Sequence, residues 1–415
     1  MKNLLKIYER YSKKALSFLI AFFCCGFIVF AQSSTYLNSL VPGEKARLSL
    51  LTASPGKDVY SQYGHTGIRY LDPENKLDVV FNYGLFDFNS PNFIWRFVTG
   101  ETDYMVGTCS FFDFMIEYQM ENRSVTEQVL NLRPEERDIL LQALLINIRP
   151  ENRVYRYDFF YNNCATKPRD IIVEAINGTV DYQWEGKYKS LRDEVHFFTD
   201  KYRWTQFGID FALGAEADEA VNLKIQQFAP DVLMESFSKA VIRNDSTGVR
   251  PLVSETLYPA TIDPELIEET AKYPGPVLVF WTIFVITAIL TWLEIRKNKP
   301  NHILNSILYT VAGLIGLVIA FLALFSEHPT TDVNYLLLWL HPFYLIYVPA
   351  LLSRTFRSRL AYILSFINLP LQAFALVGTL FLPQTLHPAM YPFLLTLMLR
   401  SLSSYLIYKK IRKNE

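Results

Sequence analysis

One cysteine and one histidine have settings that suit nucleophilic catalysis. Cys164 follows two asparagines and precedes a run of helical spacing that ends near Gly178. A helix start offers free N–H groups and the positive end of the helix dipole, so we expect a lowered pKa for this thiol. His65 lies in a strand-like run among small residues that leave its ring accessible. A thiol activated by an imidazole is the pairing that nucleophilic catalysis by a cysteine requires.

A catalytic imidazole also needs a polar neighbour that holds its ring in one orientation. Strand-like patterns at residues 63–71 and 77–83 flank a turn cluster, which predicts a β-hairpin with His65 at the end remote from the turn. Asn82 on the return strand is the expected orienting residue, with Tyr83 and Asp87 as alternatives.

Other chemistries find less support in the sequence. A zinc site needs three or four ligands, and the chain has no HExxH or CxxC pattern, no GxSxG elbow and no glycine-rich phosphate loop. We therefore expect no metal and no cofactor. His196 lies in a helix-like segment and is expected to be an ordinary surface or packing residue. Cys109 leaves a structural alternative, because Cys109 and Cys164 could form a disulfide in an oxidising compartment.

The segments around these residues predict an exported domain. Basic residues precede an apolar stretch at residues 15–30, and small residues stand at the expected cleavage site, which predicts a signal peptide at residues 1–31. An uncleaved anchor helix is the alternative, and it exports the same domain. Residues 32–274 have the composition of a soluble domain, and we expect residues 243–274 to be a polar tether.

Five later segments have the length and apolar composition to cross about 30 Å of hydrocarbon. They are residues 275–293, 303–325, 335–352, 360–382 and 391–408. Basic residues follow the first, third and fifth segments, whereas the other two loops contain no Lys or Arg. The positive-inside rule then places the C-terminus in the cytoplasm and residues 32–274 in the periplasm. We expect an inner (cytoplasmic) membrane protein whose residues 275–415 form a five-helix membrane domain.

Polar residues in or near these segments are candidates for a role. Arg400 lies inside the fifth segment, where it would pair with a lipid phosphate or with a buried partner such as Asn368 or Gln372. His341 lies in the third segment. His328 belongs to an outer loop that either faces the active site or is an ordinary solvated loop. The sequence leaves these alternatives open.

The order of the motifs resembles a known superfamily. A strand with Gly64-His65-Thr66-Gly67, a second strand ending in Phe-Asn-Tyr-Gly at residues 81–84, and Asn-Asn-Cys at a later helix start resemble the circularly permuted papain-like fold. Its members include NlpC-like peptidases and lecithin:retinol acyltransferase-like enzymes. With the signal peptide and the five-span tail, most of the chain resembles the Lnb type of lipoprotein N-acyltransferase. The resemblance implies an α+β, permuted papain-like (NlpC-like) domain followed by an all-α membrane domain.

The resemblance also implies a reaction on lipids. Cys164 would attack a phospholipid ester and hold the acyl chain as a thioester, and His65 would move the protons. The backbone N–H of Cys164, assisted by the Asn163 side chain, would stabilise the oxyanion. A diacylated lipoprotein would then accept the chain on its α-amino group. The implied partners are membrane phospholipid, diacylated lipoprotein and the lipid bilayer.

Two other functions compete with this interpretation. An NlpC-like cell-wall peptidase or amidase would use the same Cys–His pair on a peptide, although it has no need of five spans. A non-enzymatic membrane scaffold would keep Cys109 and Cys164 as a disulfide. Nucleic-acid binding is not expected, because the net charge is −1.

Overall fold

The structure is a computed structural model that describes residues 41–87, 89–246, 248–262, 273–352 and 357–414. The expected signal peptide at residues 1–31 lies outside these ranges. The described residues form a mixed α/β domain on the N-terminal side and a helical membrane region on the C-terminal side.

The strands of the N-terminal domain form two antiparallel sheets. The strands are β1 (Arg47–Ala53), β2 (His65–Asp72), β3 (Leu77–Leu85), β4 (Asp103–Ser110), β5 (Val125–Leu130), β6 (Val154–Arg156), β7 (Thr179–Asp181), β8 (Val241–Asn244), β9 (Gly248–Pro251) and β10 (Val253–Ala260). The larger sheet has the order β10-β5-β1-β2-β3-β4-β6, and the smaller one has the order β7-β8-β9.

Helices make up the rest of the regular structure. Those of the N-terminal domain are α1 (Phe93–Thr99), α2 (Phe111–Met120), α3 (Pro134–Asn147), α4 (Thr166–Ala175), α5 (Leu191–Thr199), α6 (Arg203–Ala212), α7 (Leu223–Gln226) and α8 (Pro230–Lys239). Those of the membrane region are α9 (Pro276–Lys297), α10 (His302–Phe325), α11 (Tyr344–Leu352), α12 (Arg357–Gly378) and α13 (Met390–Asn414).

The hairpin predicted around His65 is present. β2 pairs antiparallel with β3, and Gly67 lies opposite Asn82. The turn of the hairpin occupies residues 73–76, so His65 begins β2 at the remote end. On its other side β2 pairs with β1, where His65 lies opposite Ala53. β2 is therefore an inner strand of the sheet, and His65 lies at the N-terminal end of that strand.

The core of this domain fixes the position of the helix that follows Cys164. Leu50 on β1 and Ile68 and Tyr70 on β2 are fully buried. Leu144 on α3 and Ile172 on α4 belong to the same buried cluster. Burying a large apolar side chain stabilises a fold by roughly 1.5–3 kcal/mol. The sheet therefore holds α4, and with it the cysteine turn, in one place.

One expectation for this domain is wrong. The segment 243–274 is not a tether throughout, because β8, β9 and β10 occupy most of residues 241–260 and β10 pairs with β5 at the edge of the larger sheet. Exposed polar side chains such as Glu255 give this edge strand the composition of a linker. The connection to the membrane region starts after Ala260, and its residues 263–272 lie outside the described ranges.

Four helices among the described residues are long and apolar enough to cross a membrane. They are Pro276–Lys297, His302–Phe325, Arg359–Gly378 and Met390–Lys410. These helices correspond to the first, second, fourth and fifth segments expected from the sequence.

The third expected segment, residues 335–352, is divided. A 3₁₀ turn at Tyr335–Leu338 comes first, and α11 begins only at Tyr344. Pro342 lies between them, and a proline has no N–H group for a helix ladder. Gly316 of α10 admits this interrupted backbone, because a Cβ there would lie only 2.1 Å from the carbonyl oxygen of Leu340.

His341 ties this divided segment to α12. Its Nε2 atom lies 3.2 Å from Asn368 Oδ1, and its ring stacks on Tyr344 with centroids 4.2 Å apart. Gln372 Nε2 donates a hydrogen bond of 2.9 Å to the Tyr344 hydroxyl. Asn368 and Gln372 of α12 thus form hydrogen bonds with α11 and with the residues just before it.

The outer loop that carries His328 attaches the membrane region to α1. The His328 Nε2–H group donates to the carbonyl oxygen of Phe97 at 2.6 Å. The Glu327 N–H group donates to Thr99 at 2.8 Å. Gly100 lets the loop come close, since a Cβ there would lie 2.9 Å from the His328 nitrogen. The loop is therefore an attachment point between the two parts of the protein.

A second attachment lies at the end of α6. The Gly214 N–H group donates to Thr330 at 2.7 Å, and Gln384 Nε2 donates to Leu213 at 3.1 Å. The N-terminal domain is therefore bound to the membrane region through two separate helices, α1 and α6.

Arg400 in α13 is fully buried and paired. Its Nη2 atom lies 2.7 Å from Glu294 Oε2 in α9, and its Nε atom donates to Asn305 Oδ1 in α10 at 2.6 Å. Of the two alternatives expected for Arg400, the structure has the buried partner, but the partners are Glu294 and Asn305 and not Asn368 or Gln372. The sequence did not predict this pairing, because Glu294 lies at the end of an apolar span beside a basic cluster, a position typical of a solvated residue.

This cluster yields a stability prediction. Arg400→Met leaves the Glu294 carboxylate buried without its counter-charge, which costs about 3–5 kcal/mol. We expect the double variant Arg400→Met/Glu294→Met to recover most of that loss, because no charge then remains buried. Thermal unfolding of the purified protein in detergent measures both, with Arg296→Met at an exposed position of α9 as the control. If the Arg400→Met variant unfolded at the same temperature as the parent, the Arg400–Glu294 ion pair would not contribute to stability.

Candidate active site

His65 is oriented by Asn82. Its Nε2 atom lies 2.6 Å from Asn82 Oδ1 across the β2–β3 hairpin. The amide oxygen can only accept, so Nε2 carries the proton and Nδ1 keeps a free lone pair. The ring of Tyr118 stacks on the imidazole with centroids 6.1 Å apart. His65 therefore has one tautomer and one ring orientation, as a general base requires.

The two alternative orienting residues lie elsewhere. Tyr83 faces the opposite side of β3, where it is buried in the core, and its hydroxyl lies 3.5 Å from Asn147 Oδ1. Asp87 is exposed, and its Oδ1 atom accepts a hydrogen bond of 2.8 Å from the Asn89 N–H group. Strand alternation explains the position of Tyr83, since neighbouring residues on β3 point to opposite faces, whereas Asp87 lies beyond the end of the strand.

Cys164 lies in a tight turn before α4. The Asp158 carboxylate accepts hydrogen bonds from the N–H groups of Phe160 and Tyr161, both at 2.9 Å, and bends the chain after β6. Asn163 Oδ1 then accepts from the N–H groups of Ala165 and Thr166 at 2.8 and 2.9 Å. The helix starts at Thr166, so the cysteine precedes the first turn instead of lying in it.

Asn163 builds this turn and has no donor left for a substrate. Its Nδ2 group donates to the carbonyl oxygens of Phe159 and Phe228 at 2.8 and 2.9 Å, and the residue is buried. These two bonds use both amide hydrogens. The oxyanion role expected of the Asn163 side chain therefore does not fit this geometry. The residue acts as a cap and a positioning group.

The thiol of Cys164 has a raised pKa, contrary to the expectation from the helix start. Burial raises the pKa of Cys164 to about 11, because a thiolate loses hydration there. The backbone N–H groups of Thr66 and of Cys164 itself oppose this rise, as does the charge of Arg123. Their effect is the smaller one.

The imidazole shifts in the opposite direction. Burial lowers the pKa of His65 to about 4, and the charge of Arg123 also lowers it, while the hydrogen bond to Asn82 raises it. At neutral pH the resting pair is consequently a neutral thiol and a neutral imidazole. Such a pair acts by transferring the proton during attack and does not hold a standing thiolate.

Gly84 lets the two reactive side chains meet. It lies in β3 with φ of 86°, a conformation that favours glycine. A Cβ atom at this position would lie 3.2 Å from the Cβ of Cys164 and 3.9 Å from Cε1 of His65. Cys164 and the imidazole of His65 thus both lie beside Gly84 at the end of β3, and both residues are partly exposed to solvent.

Tyrosines line the surroundings of the thiol. The pKa of Tyr104 rises to about 12, first through burial and then through the nearby Cys164. Tyr155 and Tyr157 have pKa values raised for the same two reasons. Sequence reasoning missed these residues as site components, although residues 154–161 form a conspicuous aromatic run. Arg123 had no local signal, because only the folded chain brings it to the site.

The remaining candidates lie outside this constellation. His196 Nε2 pairs with Asp210 at 2.9 Å on the helices α5 and α6. Cys109 and Cys164 are both free thiols, so the disulfide alternative is not formed in this structure. Among the residues that the structure describes, no three His, Cys, Asp or Glu side chains come together as metal ligands.

Two family models match the chain. One describes the Lnb N-terminal periplasmic domain and matches residues 33–194; the other describes the Lnb transmembrane domain and matches residues 268–411. The chain belongs to the Lnb family. The resemblance drawn from the order of the motifs is thereby confirmed, and this Lnb protein combines a periplasmic domain with a membrane region. No curated protein and no solved structure matches the chain significantly.

The raised pKa of Cys164 predicts slow alkylation at neutral pH. With a pKa of about 11, the thiolate fraction should grow about tenfold per pH unit from pH 7 to pH 10, and the rate of reaction with iodoacetamide should follow it. Peptide mass spectrometry of the Lnb protein measures the labelling of Cys164, and the Cys109→Ser variant removes the competing thiol. A rate that is already constant above pH 7 would reveal a standing thiolate and contradict the neutral pair.

Proposed function

We propose that this protein is a lipoprotein N-acyltransferase that uses Cys164 as nucleophile and His65 as general base. It moves a fatty acyl chain from a membrane phospholipid to the α-amino group of a diacylglyceryl-cysteine lipoprotein. The observation that carries the proposal is the convergence of Cys164, His65 and Asn82 at Gly84, in a domain attached at two points to a membrane region.

The first half-reaction loads the acyl chain. His65 Nδ1 takes the thiol proton as the Cys164 sulfur attacks the ester carbonyl of the phospholipid. The oxyanion that forms is stabilised by the backbone N–H of Cys164. The ester C–O bond then breaks, and the leaving alkoxide takes the proton from His65. The products are a lysophospholipid and an acyl-thioester on Cys164.

The second half-reaction transfers the chain. The free amine of the lipoprotein attacks the thioester carbonyl and loses a proton to His65. The C–S bond breaks, and the thiolate of Cys164 takes that proton back. Asn82 occupies Nε2, which leaves Nδ1 as the nitrogen free to exchange the proton in both steps. The enzyme returns to its neutral resting pair.

The finer architecture belongs to the same proposal. The order of histidine strand before cysteine helix supports a circularly permuted papain-like fold, with residues 1–31 as signal peptide, 32–274 as catalytic domain and 275–415 as membrane domain. We propose that residues 335–352 complete a fifth, interrupted crossing next to the four long helices. The charge pattern of the loops supports placement in the inner membrane.

The test is a transfer assay with purified full-length protein. Incubation with phospholipid vesicles and a diacylated lipopeptide should give triacylated lipopeptide and lysophospholipid in matching amounts. Cys164→Ser and His65→Ala should each lower the rate by at least about a thousandfold, because each removes one member of the dyad. The matched controls Cys109→Ser and His196→Ala should retain most activity. Mass spectrometry of both products measures the outcome.

Three other results would contradict the proposal in different ways. Free fatty acid without acylated peptide would indicate a lipase. Cleavage of muropeptides with unchanged phospholipid would indicate a cell-wall peptidase. Full activity of the Cys164→Ser variant would place the nucleophile elsewhere.

A further inference from the structure

We propose that α1 lies in the outer leaflet of the bilayer and that a row of aromatic rings leads from it to Cys164 as the binding surface for the acyl chain of the donor lipid. This inference rests on the proposed function and specifies how a lipid substrate reaches that site. Three observations carry it: the depth at which α1 is attached, the apolar side chains that it exposes, and the continuity of the rings.

The attachment of α1 sets its depth. Trp95 packs on Phe321 of α10 with ring centroids 5.4 Å apart. Phe321 lies within the span His302–Phe325, four residues before its outer end. The backbone of Thr99 is bound to Glu327, just beyond that end. α1 therefore lies at the level where an outer leaflet surrounds the span.

The side chains of α1 match such a position. Ile94, Trp95 and Phe97 are 78%, 59% and 46% exposed, and they occur on a single helix of two turns. The guanidinium of Arg96 contacts the Asp103 carboxylate, so the polar side of α1 is used for attachment to the domain. Exposed tryptophan and large aliphatic residues beside a polar face are typical of helices at a membrane surface. Contact with lipid would remove this apolar surface from water.

The aromatic row connects α1 with the nucleophile. We define it as Phe97, Phe93, Phe86, Tyr104 and Tyr157. Successive ring centroids lie 6.2, 5.8, 5.0 and 4.0 Å apart along this order. Such spacings correspond to direct ring contact. Phe97 is exposed and Phe86 and Tyr157 are partly exposed, so these three rings provide the surface, whereas the buried Phe93 and Tyr104 support them from below.

The inner end of the row lies at the reactive thiol. Tyr104 and Tyr157 are among the tyrosines near Cys164 whose pKa is raised first by burial and then by the charge of that cysteine. Phe86 follows Gly84 by two residues, and Gly84 contacts the cysteine turn. A chain laid along the rings would consequently bring its ester carbonyl to the sulfur, while the methyl end points toward the membrane.

The occupant is the acyl chain of a phospholipid from the outer leaflet. Its chemistry fits a surface of apolar rings that starts inside the bilayer and ends at a desolvated thiol. A peptide substrate would instead need hydrogen-bonding groups along its path, and the rings of Phe97, Phe93 and Phe86 offer none.

The first test detects lipid contact without any turnover. Full-length Cys164→Ser protein is placed in vesicles of phosphatidylethanolamine that carries a diazirine in its acyl chain, and irradiated. We expect adducts on the peptide that contains Ile94 and Trp95, besides those on the spans. Adducts confined to α9, α10, α12 and α13 would overturn the proposal.

The second test measures the consequence for acylation. Ile94→Glu places a charge on the lipid side of α1, and we expect the rate of Cys164 acylation by vesicle phospholipid to fall by about tenfold. The matched control is Ile139→Glu on α3, which is 55% exposed in the parent and should keep the parental rate. Equal rates for Ile94→Glu and Ile139→Glu would overturn the proposal.

The two tests separate this inference from the proposed function. If the wild type released no lysophospholipid while α1 still crosslinked to lipid, the proposed chemistry would be wrong and the membrane position of α1 would stand. If the wild type transferred acyl chains but α1 gave no adduct, the reaction would stand and the assigned path would be wrong.

Discussion

The structure of this site depends on the close approach of two backbones at Gly84. The turn that carries Cys164 must lie against the end of β3, and a Cβ atom at position 84 would come within 3.2 Å of the cysteine Cβ. Glycine also accepts the positive φ that bends the strand end at this point. The buried core places α4 on the sheet, and Gly84 leaves the space in which the preceding cysteine turn approaches the end of β3.

Enclosure of the pair explains its electrostatics and suits its proposed substrate. Burial holds the pKa of Cys164 up and that of His65 down, so neither group is charged before a substrate arrives. A neutral, poorly hydrated thiol is compatible with an apolar chain beside it. Cys164 and His65 are nevertheless partly exposed, so in the proposed reaction a bound acyl chain would have to exclude the water that competes with the lipoprotein amine for the thioester. In the proposed reaction, attachment of the domain to the membrane region would keep both lipid substrates near the site, and proximity would then favour the amine.

Much of the site was predictable because its signals are local. The turn between two alternating runs predicted the hairpin, and the position of His65 at its remote end indicated an orienting residue at the end of the return strand, where Asn82 lies. The features of the site that the sequence did not predict depend on contacts between segments that are distant along the chain. The capping bonds that occupy Asn163 involve Phe228, which is 65 residues away. The sign of the Cys164 pKa shift depends on burial by the folded chain, which outweighs the dipole effect that a helix start suggests.

The membrane region shows the same division. Hydropathy identified four long helices, since each is a continuous apolar run. It could not foresee that Pro342 and the close packing at Gly316 divide the third segment, nor that Arg400 pairs with Glu294 across two helices. The hydropathy of a segment depends only on the residues of that segment. The divided third segment and the Arg400–Glu294 pair depend instead on which residues of a neighbouring helix lie against it.

The central claim is that Cys164 carries the acyl chain between donor and acceptor. It is tested most directly by incubating the full-length protein with vesicles of one phospholipid, without lipopeptide, and analysing the peptide that contains Cys164 by mass spectrometry. The account predicts the mass of that lipid's acyl chain on Cys164, removed by neutral hydroxylamine as a thioester should be, and absent from the His65→Ala variant. An unmodified Cys164 in a preparation that still transfers acyl chains, or an acyl group on another residue, would contradict it.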